Sequence, residues 1–251
     1  MPNLYFIEVT VQMEYTYLIL FNWYVTVERS MLFAMGNGGA GTSAGKRVDE
    51  MVRKKGIPYV TLVLIVLNVV YYFIVASGGS TSDLAYMISR GADCAPYVFE
   101  KYEYWRLLTS MFMHFSFQHL AGNMIYLGLM GFSYEHVVGH LKFLLVYMLS
   151  GIGGGVVSCA YYQVTGQAVV SAGASGAVYG LVAMVIYLMY TARKRSGMKP
   201  LMYRMAIVLL FLVYSNFGAG RGVDIAAHLG GLVFGFVVSI LFLSSRTKRQ
   251  K

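Results

Sequence analysis

Between Ile57 and Leu243 the chain is cut into apolar runs, nearly free of charge, each about as long as the hydrocarbon core of a bilayer is thick. Nothing else in the sequence restricts the fold as strongly. A backbone inside hydrocarbon finds no water, so each run must satisfy its own N–H and C=O groups, and an α-helix does this within one segment. A soluble core is the other use for such runs. Composition speaks against it: 57% of residues are hydrophobic and only 12% charged, too few to cover a soluble surface. The expected fold class is all-α, a polytopic membrane bundle of six transmembrane helices. The runs are Ile57–Ala76, Phe115–Phe132, Leu141–Tyr162, Ser175–Tyr190, Leu201–Phe217 and Ile225–Leu243. A long polar loop, Ser77 to Met113, separates the first two.

The charges outside the runs set the topology. A net charge of +9 would suit nucleic acid, but the basic residues flank apolar runs, where they orient a membrane protein instead. No nucleic-acid partner is expected; the bilayer is. Lys46, Arg47, Arg53, Lys54, Lys55, Lys142, Arg193, Lys194, Arg195, Lys199, Arg204, Arg246, Lys248, Arg249 and Lys251 all fall on one side of a six-span arrangement. The other side holds Arg90, Lys101, Arg106 and Arg221. Both termini are therefore expected in the cytoplasm, and a bacterial plasma membrane is the expected home, because no organelle-targeting leader is seen. Residues 1–56 read as a cytoplasmic leader, 57–245 as the six-helix domain and 246–251 as a basic tail. Within the leader, Met1 to Ser30 is aromatic and interrupted by Glu8, Glu14 and Glu28, and its longest uncharged run, Tyr15 to Val27, is too short to span readily. Met35 opens a more ordinary soluble leader, and both Met1 and Met35 stay open as the natural start. Cys94 and Cys159 fall in a loop and mid-helix, and no disulfide or redox chemistry is expected of them.

Two small-residue segments carry the chemistry. Gly173-Ala174-Ser175-Gly176 opens the fourth span and Ala227-His228-Leu229-Gly230-Gly231 opens the sixth. Both spans start on the outer side, so topology alone brings Ser175 and His228 to similar depth. The fourth run covers about 24 Å at 1.5 Å per residue, against a core of about 30 Å. Ala168–Ala174 is therefore expected to dip into the membrane, with Ser175 below the outer surface. A serine hydroxyl needs a base within about 2.6–3.2 Å to become a nucleophile, and a neutral histidine supplies one. Gly176 with Gly180, and Gly231 with Gly235, let two helix backbones approach that closely. His119 and Asn123, at i and i+4 on the second span, offer donors for an oxyanion, as do the free N–H groups opening span four.

Each residue also has a plainer use. Gly-Ala-Ser-Gly is common helix glue, an intramembrane histidine often bonds a neighbour, and His119 and Asn123 serve equally as helix ties. Tyr179 reads as packing. His114 and His119, at i and i+5, would lie on different helix faces, so no metal is expected. Asp224, one turn before His228, reads as a helix cap rather than a third catalytic member. It is the convergence of these signals at the outer ends of three helices that favours catalysis.

Taken together, the motifs resemble the rhomboid family of intramembrane serine proteases. The likeness runs from about Ile57 to Leu243 and leaves Met1 to about Arg53 unmatched. It rests on Trp105-Arg106, His114, His119-Leu-Ala-Gly-Asn123, Glu135 with Gly139, Gly173-Ala174-Ser175-Gly176 and Ala227-His228-Leu229-Gly230-Gly231. The resemblance implies Ser175 as nucleophile, His228 as general base, and the Ser175 backbone, His119 and Asn123 as oxyanion hole. It implies Tyr179 packed on the His228 ring, and supporting places for Trp105, Arg106, His114, Gly173 and Gly176. It also implies a dyad without metal, nucleotide or other cofactor, acting on membrane proteins with a transmembrane segment cut near the outer face. A catalytically silent client-binding protein and a transporter with a broken fourth helix are the rival readings. The transporter calls for inverted repeats, and no clear repeat is seen. The sequence does not give the oligomeric state.

Overall fold

The computed structural model describes residues 56–196 and 223–244. The chain divides into two units, Met1–Ile57 and Pro58–Lys251, and all but the first two described residues belong to the second. The leader, the fifth expected span Leu201–Phe217 and the basic tail lie outside the described residues.

The long helices follow the apolar runs, with ends set by local chemistry. Helix α1, Tyr59–Gly78, starts behind Pro58, which occupies the N-cap and gives no side-chain cap bond. Helix α4, Phe117–Val138, is capped by Ser116, whose hydroxyl accepts from the His119 N–H, and ends at Gly139 with φ +95°. Helix α5, His140–Thr165, stops at Gly166 in the left-handed region. Helix α7 spans Ile225–Leu243, as expected. By length and composition α1, α5 and α7 suffice to cross a membrane. Helix α4 is comparably long, but His119, Asn123 and Glu135 dilute its apolar character.

Helix α6 departs from expectation. It runs over Ser175–Ser196, past Tyr190, although its apolar part ends at Thr191. At 22 residues it is about 33 Å long, not about 24 Å. Arg and Lys are good helix formers, so leaving the apolar run does not end the helix. The shortness that was to pull Ala168–Ala174 into the membrane therefore belongs to the apolar stretch alone.

The outer loop departs further. Within Ser77–Met113 lie helix α2 (Leu84–Arg90), strand β1 (Asp93–Cys94), a π-helical turn (Pro96–Glu100), helix α3 (Arg106–Thr109) and a 3-10 turn (Ser110–Phe112). Asp83 caps α2 by accepting from the Ala85 and Tyr86 N–H groups, and Gly91, at φ +112°, ends it. Strand β1 pairs antiparallel with β2 (Val170–Ser171), Asp93 opposite Ser171 and Cys94 opposite Val170. Arg106 organises the loop from inside. Only 5% exposed, it donates from Nη1 to the Ile88 and Ala92 carbonyls and from Nε to Glu103, 2.6 Å away. Its guanidinium also lies over the Tyr97 and Trp105 rings.

Helices α5, α6 and α7 pack on one another, and α1 packs chiefly on α4. The three-helix contact is made of backbone. A Cβ added at Gly231 would lie 2.1 Å from the Gly176 carbonyl oxygen, and one at Gly235 2.4 Å from the Gly180 Cα. One at Gly154 on α5 would lie 2.7 Å from the Ala227 carbonyl oxygen. The α1–α4 contact works differently. Thr61 fills the space over Gly131, where a Cβ would lie 1.9 Å from its Oγ1. Glu135 of α4, fully buried, accepts from the Val60 N–H at 3.0 Å, the Thr61 N–H at 2.8 Å and the Thr61 hydroxyl. It is the cap that Pro58 does not supply, with its charge at the favourable end of the α1 dipole. His140 shares the same carboxylate.

These contacts separate two glycines of one interface. At Gly176 a Cβ would meet nothing nearer than the Ala227 oxygen at 3.5 Å, an ordinary contact. Gly176→Ala gains up to about 1 kcal/mol of helix propensity and should hold the thermal midpoint in detergent. Gly231→Ala must push two backbones apart and should lower it, by about 1–3 kcal/mol or more of stability. Equal midpoints for the two variants would rule out the backbone contact.

Candidate active site

Ser175 is the first residue of α6 and is half-buried at the end of a turn. The turn is held from three sides. Strand β2 leads into it from the outer loop pairing. The Gly173 N–H donates to the Ser110 carbonyl at 2.9 Å. The Ala174 N–H donates to His114 Nε2 across a long 3.5 Å. Gly173 has φ +143°, where side chains are rarely tolerated, and a Cβ there would lie 2.8 Å from the His119 ring. Both the backbone angle and the close ring require glycine at this position.

His228 reaches the same place from α7. It is 8% exposed, and its ring stacks on Tyr179 with centroids 4.2 Å apart and planes 12° from parallel. Tyr179 lies one turn after Ser175, on the same face of α6. One turn beyond His228, Gly231 sits on the Gly176 backbone. The stack and the backbone contact together put the imidazole beside the first turn of α6.

His119 and Asn123 close the other side from α4. The His119 ring lies against Gly173 and stacks on Phe115 at 6.5 Å. Asn123 is buried and donates one amide hydrogen to the His119 carbonyl at 3.0 Å, leaving the carboxamide a second N–H. His114 stands 5.0 Å from His119, ring to ring. The two do not share a helix, because α4 begins at Phe117 and His114 precedes it, so helical faces do not separate them. Burial, with His119 beside it, pushes His114 down to about 3, so it is neutral and its Nε2 is free to accept. Among the described residues no group of three His, Cys, Asp or Glu side chains is placed to hold a metal.

The remaining expected residues lie farther out or behind. Trp105 is half exposed on the outer loop and Arg106 is engaged there, as described above. Gly176 lies in the α6–α7 contact. Asp224 caps α7, accepting from the Ala227 N–H at 2.9 Å with one oxygen and from the Ser158 hydroxyl with the other. Sequence reasoning missed the outer loop's hold on Gly173 and the Ser158 bond to Asp224. Neither leaves a periodic signal; a glycine before the serine is the only local hint.

Asp224 therefore generates a test of cap against charge. Asn is as good an N-cap as Asp, and its amide can turn its donor to the Ser158 oxygen. Asp224→Asn should keep the thermal midpoint near wild type, whereas Asp224→Ala should lose about 0.5–2 kcal/mol. Equal losses in both variants would make the negative charge, not the cap, the important feature.

The chain is similar to known proteins. A family model described as the Rhomboid domain matches residues 101–245. Rhomboid protease GluP of Bacillus subtilis (strain 168) is 29% identical over 192 residues, covering 76% of this chain and 36% of GluP. Rhomboid protease AarA of Providencia stuartii is 31% identical over 204 residues, covering 73% of this chain and 72% of AarA. RHOMBOID-like protein 1 of Arabidopsis thaliana is 33% identical over 148 residues, covering 58% of this chain and 36% of that protein. The chain thus spans about a third of the length of GluP and of the plant protein, and most of AarA.

Proposed function

The chain belongs to the rhomboid family, and we propose that it is an active intramembrane serine endopeptidase working through Ser175 and His228. The observation that carries this reading is the His228–Tyr179 stack, one turn along α6 from Ser175, on helices whose backbones touch at Gly176 and Gly231. A silent client-binding protein has no need of that registry.

In the proposed reaction, Ser175 Oγ attacks the scissile carbonyl carbon while His228 takes its proton. The carbonyl oxygen becomes an oxyanion, met by the Ser175 N–H, a His119 ring N–H and the second N–H of Asn123. Collapse breaks the C–N bond, and the amine leaves with the proton from His228. The acyl group stays on Ser175 as an ester. A water, deprotonated by His228, then attacks the ester and releases the acid, restoring Ser175. Asp224 supports α7 without joining the transfer, as a dyad requires.

The proposed substrates are membrane proteins with a transmembrane segment, cut near the outer face. A helical peptide bond is hidden by its own hydrogen bonds, so a cut segment must unravel locally, and Gly or Pro near the bond should help. The distribution of Lys and Arg supports an orientation with both termini in the cytoplasm.

A fluorophosphonate probe should label Ser175, and product masses should show cleavage of a model single-span substrate. Ser175→Ala should lose both while remaining folded and inserted. Undiminished turnover by that variant would reject Ser175 as nucleophile. Asn123→Ala removes one oxyanion donor among several and should slow turnover by about 10²- to 10³-fold without ending it. Wild-type labelling and turnover in this variant would reduce Asn123 to a helix tie.

A further inference from the structure

The proposed chemistry leaves one buried acid without a task. Asp93 is 2% exposed and lies on β1, opposite Ser171. Its Oδ2 accepts from the Ser110 hydroxyl at 3.4 Å, and its Oδ1 is buried with no hydrogen-bond partner among the described residues. Ser110 is also the residue whose carbonyl holds the Gly173 N–H. The Asp93 carboxyl extends to α5 as well: a Cβ on Gly155 would lie 3.0 Å from Oδ2, so that glycine leaves just enough space for it. One side chain therefore meets the outer loop and α5, while its own backbone pairs with the strand that enters the Ser175 turn.

We propose that Asp93 is a positioning residue for Ser175: its carboxyl, seated on Gly155 and bonded by Ser110, keeps Ser110 where its carbonyl holds the Gly173 N–H. This rests on the reading of Ser175 as nucleophile. Asp93 touches no reacting atom; it acts through Ser110 and Gly173.

Its charge state follows from its surroundings. Arg106 and Cys94 face it from the outer loop, Cys159 from α5 and Asp224 from the start of α7. The Arg106 guanidinium is the one cation among them, and its hydrogen bonds go to Glu103, Ile88 and Ala92. Burial first, and the nearby Asp224 carboxylate second, push Asp93 well above the usual carboxylate range. A neutral acid suits the seat, because a buried carboxylate with an unbonded oxygen is costly. The folded-state pKa lies above the unfolded one. Ionisation therefore disfavours the folded state increasingly as pH rises from the unfolded value, about 3.9, to the folded value, and the cost is constant beyond it.

The test uses the full chain in detergent with a model single-span substrate. It compares kcat and KM of wild type, Asp93→Asn and Asp93→Ala across about pH 5 to 9, with amide exchange at Gly173. Wild type should decline on the alkaline side, and Asp93→Asn, a neutral isostere, should retain kcat without that decline. Its thermal midpoint should match wild type near about pH 4 and exceed it increasingly as pH rises. Asp93→Ala should lower kcat on the order of ten- to a hundred-fold with KM unchanged, and speed exchange at Gly173. An Asp93→Ala kcat within about two-fold of wild type, or the same alkaline decline in Asp93→Asn, overturns the proposal. If Asp93→Ala does not fold, Ser110→Ala takes its place with the same expected direction in kcat and exchange, and no change in either overturns the proposal. If wild type neither cleaves nor takes the probe, the protease reading falls. Exchange at Gly173 then decides the Asp93 contact by itself: faster in the variant upholds it, unchanged rejects it.

Discussion

Two helix backbones in direct contact govern the molecule. Where Gly231 meets the Gly176 carbonyl and Gly235 meets Gly180, no side chain separates α7 from α6. In hydrocarbon there is little hydrophobic gain in pressing helices together, so close van der Waals packing must supply the attraction. Small residues permit it, and the third helix repeats the device, with Gly154 against Ala227. The result is rotational as well as radial. Glycine faces fix which side of each helix turns inward, and His228 and Tyr179 then have one way to meet.

The outer loop adds a second constraint, made of polar groups. Arg106 ties α2, Glu103 and two aromatic rings into one body, and that body holds the turn before Ser175 through the β1–β2 pair and the Ser110 carbonyl. Two buried charges are matched where they sit: Arg106 by Glu103 and carbonyls, Glu135 by three donors of α1. A loop so tied serves as a wall for the turn, not as a tether between spans.

Much of this was legible in the sequence. Apolar run length found α1, α5 and α7 within a few residues, because a helix in lipid must be about as long as the lipid is thick. Ser175 opening α6 and Asp224 capping α7 were readable because caps are local chemistry between neighbours in sequence. The end of α6 was misplaced because polarity marks where a membrane ends, not where helix propensity ends. The outer loop reads in the sequence only as a long polar loop for another reason. A two-residue strand has no period to detect, and its partner lies beyond α3, α4 and α5. The Asp93 seat and the Glu135 cap depend on distant chain segments as well. Glu135 did leave a trace, as an acid inside an apolar helix, and such a residue calls for a named partner.

The Glu135 cap has a bearing on how the protein is made. Its bonds to Val60 and Thr61 join residues 75 and 74 positions apart. A ribosome delivers α1 first, so the first turn of that helix lacks its acceptor until α4 has been synthesised. At an average of about 5–20 residues per second, that interval lasts several seconds. During it the opening N–H groups of α1 must be satisfied by water at the membrane surface. The arrival of Glu135 allows that turn to exchange water for a carboxylate, and Thr61 to settle over Gly131. The first of the described helices is thus completed by a later one, so its final seating in the bilayer is an event of assembly rather than of insertion.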